Sequence, residues 1–173
     1  MQKSTNYFLV GPMGSGKSTV GKKLAQALDY AFFDSDKEIE HKTGVTIAHI
    51  FDIEGEAGFR RRETAMLAKL VQKKHIVLAT GGGAILAKIN RERLRDNGTV
   101  IYLKTSVDTI LRRTSADRAR PLLQTEDRRG RVQLLMQQRA PLYEEIADYV
   151  IETDQRTVSS VAAHILDDLC GAR

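Results

Sequence analysis

"GPMGSGKST", Gly11 to Thr19, decides how the rest of the chain is read. It fits the pattern G-x-x-x-x-G-K-[ST]. The apolar run "YFLV" (7–10) leads into it. "KSTVGKKLAQAL" follows, with Val20, Leu24, Ala27 and Leu28 predicted on one helical face. A strand, a glycine-rich turn and a helix in that order form a phosphate-binding loop. Its glycines let backbone N–H groups face phosphate oxygens, and the helix adds its positive end. Lys17 is placed to reach the β- and γ-phosphates, and the Ser18 hydroxyl suits Mg²⁺, a hard cation. A plain strand-to-helix turn is the competing reading; motif and context together favour phosphate. This predicts ATP or GTP binding and leaves the phosphate acceptor unnamed.

Working outward, "AFFD" (31–34), "IVLAT" (76–80), "TVIYL" (99–103) and "YVIE" (149–152) are short, nearly unbroken apolar runs. Strands covered on both faces read this way. Helical stretches separate them, the clearest being the last, where Val158, Val161, Ala162, Ile165, Leu166 and Leu169 share a stripe. The alternation predicts an α/β fold: about five parallel strands in a three-layer α/β/α sandwich with right-handed crossovers. At 173 residues a single domain over 1–173 is expected. The charged stretch 115–131, which carries Pro121, breaks the pattern. Its first part reads as a mobile loop, and long loops in compact domains often act as lids.

Composition narrows the class. The 27 Lys+Arg against 22 Asp+Glu give a net charge of +5, which suits nucleic acid or small anions equally. The single cysteine, Cys170, rules out a disulfide within the chain and fits a reducing, cytoplasmic setting. It reads as a small apolar residue on the terminal helix. His41, His49, His75 and His164 show no metal-ligand spacing. No apolar run approaches a membrane span.

Three further stretches bear on the acceptor. "FFDSD" puts Asp34 and Asp36 at the end of the second strand. In an extended backbone both would point one way, one toward a metal-bound water and one toward a hydroxyl proton. A helix N-cap followed by a first-turn acid explains the same residues. "ATGGGA" holds three glycines, Gly81 to Gly83, after the third strand, which suggests a ligand close to the backbone; a tight packing turn is the alternative. "GFRRRE" places Arg60, Arg61 and Arg62 on a helix whose core face is Met66, Leu67, Leu70 and Val71. Successive residues turn about 100°, so at most one or two of these arginines reach a substrate. "QQRAPLYEEI" adds Arg139. Two arginines from distant segments could clamp a carboxylate, although spacing cannot show that they converge.

Together, "GPMGSGKST", "DSD", "FRRRE", "TGGGA", "RPLL" and "RAPLYEEIAD" closely resemble bacterial shikimate kinases, in order, from Tyr7 to about Asp154. The resemblance implies the nucleoside monophosphate kinase fold, with a substrate-binding region around 34–63 and a lid around 115–127. It implies transfer of the ATP γ-phosphate to the 3-hydroxyl of shikimate, a step toward chorismate, by a monomeric enzyme with no nucleic-acid or membrane partner. Gly14, Ser15, Gly16, Lys17, Ser18 and Thr19 would bind the ATP phosphates, with Ser18 on Mg²⁺ and Asp34 supporting the metal through water. Asp36 would bind shikimate hydroxyls and act as base. Arg60 and Arg139 would hold the carboxylate, and Gly82 would meet the substrate through its backbone. Arg120 would contact the transferred phosphate from the lid. Arg113, Gln155 and Arg156 would flank adenine.

A gluconate kinase of the same architecture would also take a hydroxylated acid, but Arg60, the glycine run and "RAPLY" argue against it. A nucleic-acid-binding protein lacks support: aromatics are 6%, there is no Trp, and none interleaves with the arginines of 112–131. A regulator that has lost catalysis is opposed by intact Lys17, Ser18, Asp34, Asp36 and Arg120.

Overall fold

A computed structural model describes residues 6–117 and 120–171. Five strands form one wholly parallel sheet: β1 (Tyr7–Val10), β2 (Ala31–Asp34), β3 (Ile76–Ala79), β4 (Thr99–Lys104) and β5 (Tyr149–Glu152), in the order β2-β3-β1-β4-β5. The helices are α1 (Lys17–Leu28), α2 (Ser35–Thr43), α3 (Ile47–Leu70), α4 (Lys88–Asn97), α5 (Val107–Thr114), α6 (Arg128–Ile146) and α7 (Val158–Gly171). From β1 the chain steps one way along the sheet to β2; the later crossovers step the other way. Right-handed crossovers therefore put α1 on one face and α2, α3, α4 and α6 on the other. The two cores agree. Val20, Leu24 and Ala25 of α1 join Val161 and Ile165 of α7 on one side. Ile39, Phe59, Leu67, Leu94 and Tyr143 fill the other.

The central strands β1 and β3 show why their sequences are apolar without alternation: Phe8, Leu9, Val10, Val77 and Leu78 are all 0% exposed, covered by helices on both faces. "AFFD" departs from the expected double coverage. It is an edge strand, with Ala31 exposed and the rest only partly buried. In α1 the buried stripe runs through Gly21 and Ala25, and Ala27 faces solvent. A Cβ at Gly21 would lie 2.6 Å from the Phe32 ring, so the sheet sits against that side of the helix. In α7, Val158 is 36% exposed at the helix start, and Cys170 is exposed rather than packed. All four histidines are exposed.

A third apolar cluster lies away from the sheet. Ile110 of α5, Leu123 before α6, and Val132 and Leu135 of α6 form it, with Met13 of the glycine-rich loop packed against it. Pro121–Leu123 is a short 3-10 turn that supports the chain just after Arg120. Arg118 and Ala119, within the expected lid, lie outside the described residues. No helix among the described residues is long and apolar enough to cross a membrane.

Candidate active site

The loops leaving the carboxyl ends of β1, β2 and β3 meet in one cleft of about 750 Å³. This is the position at which parallel α/β sheets hold ligands. At its floor the glycine-rich loop turns with Gly11, Gly14 and Gly16 at φ 148°, 73° and 90°. A side chain at Gly11 would also lie 2.7 Å from the Leu103 carbonyl, which is backbone and cannot yield. Helix α1 begins at Lys17, and its N-cap, Gly16, offers no capping side chain. The first-turn N–H groups are thus left for an anion. Lys17 is 9% exposed and folds back to donate to the Gly11 and Pro12 carbonyls, both at 2.8 Å, with Ser15 Oγ at 3.4 Å. Burial, then the positive charge of Arg120, brings its ammonium down to about 7. Thr19 Oγ1 donates to the Gly16 carbonyl.

Asp34 is the helix N-cap that the second reading expects, and it also reaches Ser18. Its Oδ1 caps α2, accepting from the backbone N–H groups of Asp36 (3.0 Å) and Lys37 (3.3 Å). Its Oδ2 accepts from the Ser18 hydroxyl at 2.5 Å. The expectation of two acids side by side on an extended strand is corrected: the chain turns into α2 at Ser35, so Asp36 reaches the cleft from the helix's first turn. Asp36 Oδ1 is buried without a hydrogen-bond partner among the described residues. Burial, then Glu63 and Asp34 nearby, pushes its carboxyl up to about 7. The paired hydroxyl and carboxylate of Ser18 and Asp34 are hard oxygen donors suited to Mg²⁺. Such an ion takes few protein ligands and completes its shell with phosphate and water.

The three glycines have a specific cause. At Gly81 a Cβ would meet Glu63 Oε2 at 2.7 Å and Asp36 Oδ1 at 2.8 Å. At Gly82 it would touch Arg139 Nη1 at 3.5 Å, and at Gly83 it would overlap the Arg60 guanidinium. The protein's own charged side chains occupy the space, so the packing reading holds for these glycines. Arg60 and Arg139 do converge on this loop and both line the cleft. Arg61 and Arg62 are exposed, as helical periodicity requires. Arg60 bonds Glu63 at 2.8 Å and Glu56 at 3.2 Å, and these acids outweigh its burial to keep it firmly charged. Arg139 is 3% exposed and pairs with no carboxylate among the described residues. Burial lowers its guanidinium, yet it remains a cation facing a cleft.

Arg120 lines the other wall and pairs with Asp117 at 2.5 Å. Arg113 reaches from α5 to the Gly14 carbonyl (3.0 Å) and the Thr153 carbonyl (3.3 Å). Arg156 does not join the cleft wall; it is exposed in the loop after β5, its N–H on the same Thr153 carbonyl. Two buried groups escaped the sequence reading. Glu63 stands one turn after Arg60, and its carboxyl is pushed up by burial against the pull of Arg60. Tyr143 stands one turn after Arg139 and donates to the Gly82 carbonyl. The i,i+3 and i,i+4 spacings were visible, but burial was not.

Known proteins resemble this chain in sequence and fold. The family pattern described as shikimate kinase covers residues 13–170. A shikimate kinase of Thioalkalivibrio sulfidiphilus is 56% identical, covering 95% of this chain and 87% of that one. The structure of shikimate kinase from Acinetobacter baumannii in complex with shikimate superposes with a TM-score of 0.96 at 50% identity, over 97% and 94% of the two chains. A gluconokinase from Sinorhizobium meliloti, at 15% identity and a TM-score of 0.58, shares the fold alone. With the pattern spanning almost all of the sequence and identity above one half over nearly full length, the chain belongs to the shikimate kinase family.

Proposed function

We infer that this chain transfers the γ-phosphate of ATP to the 3-hydroxyl of shikimate, giving shikimate 3-phosphate and ADP. Family membership supports the reaction. The observation that carries the acceptor assignment is Arg139: a buried guanidinium without a carboxylate partner among the described residues, set opposite Arg60 across Gly81–Gly83. A buried cation left in that state calls for an anion from the ligand. A carboxylate answers two planar guanidinium groups well.

The roles follow from the chemistry each residue can perform. Gly14 to Thr19 cradle the phosphates, and Lys17 leaves the loop carbonyls for the β- and γ-oxygens. Ser18, with Asp34 behind it through water, would hold Mg²⁺, which when bound would supply charge neutralisation at the phosphate oxygens. Asp36 orients the 3-hydroxyl and accepts its proton. Its high proton affinity suits a base working near neutrality. Arg120 stabilises charge on the transferred group from the lid, 115–127, while 34–63 forms the substrate-binding region. Arg113 borders the adenine side, with Arg156 in the outer loop.

ADP release by the purified protein with Mg·ATP tests the reading, with shikimate, gluconate and nucleoside monophosphates as acceptors. Stimulation by shikimate alone, with shikimate 3-phosphate as product, is expected. Stimulation by another acceptor and not by shikimate would overturn the assignment.

A further inference from the structure

The glycine loop after β3 allows a complete hydrogen-bond accounting. Each glycine carries one backbone N–H and one carbonyl. The Gly81 N–H donates to Ser35 Oγ at 3.0 Å. The Gly81 carbonyl accepts from the Ala84 N–H at 3.0 Å and the Gly83 carbonyl from the Leu86 N–H at 3.1 Å. The Gly82 carbonyl accepts from the Tyr143 hydroxyl. What remains is the N–H of Gly82 and the N–H of Gly83, neither with a partner among the described residues, in a loop that lines the cleft between Arg60 and Arg139.

Peptide planarity links these two donors to the bonds behind them. In a trans peptide the carbonyl of one residue and the N–H of the next point in opposite directions. The bond from Ala84 holds the Gly81 carbonyl and so sets the Gly82 N–H. The bond from Tyr143 holds the Gly82 carbonyl and so turns the Gly83 N–H away from α6. Glycine peptides rotate easily, which makes an external hold necessary. Tyr143 is well built for it. It is 0% exposed, and its ring stacks on Tyr102 of β4 with centroids 5.0 Å apart. It also shares α6 with Arg139, one turn away, and its hydroxyl interacts with that guanidinium, so a single helix registers both the guanidinium and the peptide. Burial raises the phenol far above its ordinary range, which keeps it a donor.

We propose that Tyr143 is a positioning residue for the acceptor carboxylate: by holding the Gly82 carbonyl it aims the Gly83 N–H at the anion that Arg60 and Arg139 bind. The residue never touches the substrate. The inference rests on the acceptor reading above and adds a residue to it.

The test is Tyr143→Phe, which removes one oxygen and keeps the ring and its stack. With shikimate, KM rises about tenfold, the loss expected for one misdirected bond to a charged group, while kcat and the KM for ATP stay within about twofold. With a cyclohexenetriol, the same ring without its carboxylate, kcat/KM changes by less than about twofold. An unchanged KM for shikimate, or an equal loss on both acceptors, overturns the proposal. Because the variant leaves a buried carbonyl unpaired, a second measurement uses the unaltered protein. Its Gly83 amide resonance should move as shikimate is titrated in, and an unmoved resonance at saturation is equally fatal. If the unaltered protein does not phosphorylate shikimate at all, the acceptor reading itself fails, which is a distinct result.

Discussion

Buried charge is the main currency of this site at the level of single residues. Asp36 is held near neutrality by burial and by Glu63 and Asp34, so the folded chain retains a proton there up to about pH 7, whereas an ordinary aspartate releases it near 3.8. Between those values the folded state binds more protons than the unfolded one. Stability contributed by this group is therefore highest in acid and falls as pH rises toward 7. Asp36→Asn lacks that penalty. Its thermal midpoint should exceed that of the parent by several degrees at about pH 8 and converge with it toward about pH 4. An equal offset at both pH values would show that ionisation is not the cause. Arg120 differs in its proposed role, which is a contact with the group in transit. Arg120→Ala should lower kcat on the order of 10³-fold with little change in shikimate affinity, as steady-state kinetics and equilibrium titration would show. A kcat within tenfold of the parent would remove Arg120 from the chemistry.

At the scale of elements, the site is an agreement between loop and helix. Gly81–Gly83 has no side chains because α2, α3 and α6 send theirs into that space. Gly83→Ala would drive its methyl into the Arg60 guanidinium, which Glu63 and Glu56 hold from the other side. Shikimate affinity should fall roughly ten- to hundredfold, the worth of one charged hydrogen-bonding group, with ATP affinity unchanged. Unaltered shikimate binding by calorimetry would show that Arg60 has room to yield. Helix α3 carries a related feature. Gly55 sits at φ 69°, ψ −178° inside it, a conformation open essentially to glycine alone, and Arg62 bridges back to Glu54 across the break. The periodicity of 47–70 could not announce this kink, since one glycine in a helical pattern is ambiguous until its dihedrals are known.

At the scale of the whole molecule, Arg113 ties distant parts together. From α5 it grips the Gly14 carbonyl in the phosphate loop and the Thr153 carbonyl beyond β5, segments separated by 99 and 40 residues from it. Arg113→Ala should raise the KM for ATP about tenfold and leave the KM for shikimate unchanged. Equal effects on both substrates would mean that the loss is global.

Much of this was legible beforehand, and the reason is local. The glycine positions, the lysine and the hydroxyl of Gly11–Thr19 answer to backbone geometry within one turn, so their spacing carries the phosphate site. Apolar runs in β1, β3 and β4 follow from double-sided burial, so the parallel sheet was readable too. Edge position was not: "AFFD" looks like "IVLA" in composition, and only the strand order exposes Ala31. The same limit hid the dual work of Asp34, the burial of Glu63 beside Asp36, and the hold of Tyr143 on a loop 61 residues away. By itself the sequence determined which groups could bind phosphate and carboxylate, because local spacing and residue chemistry set those. Tertiary structure alone decided which of them share one cleft and with what charge, because desolvation and Coulomb interaction depend on distance through space rather than along the chain.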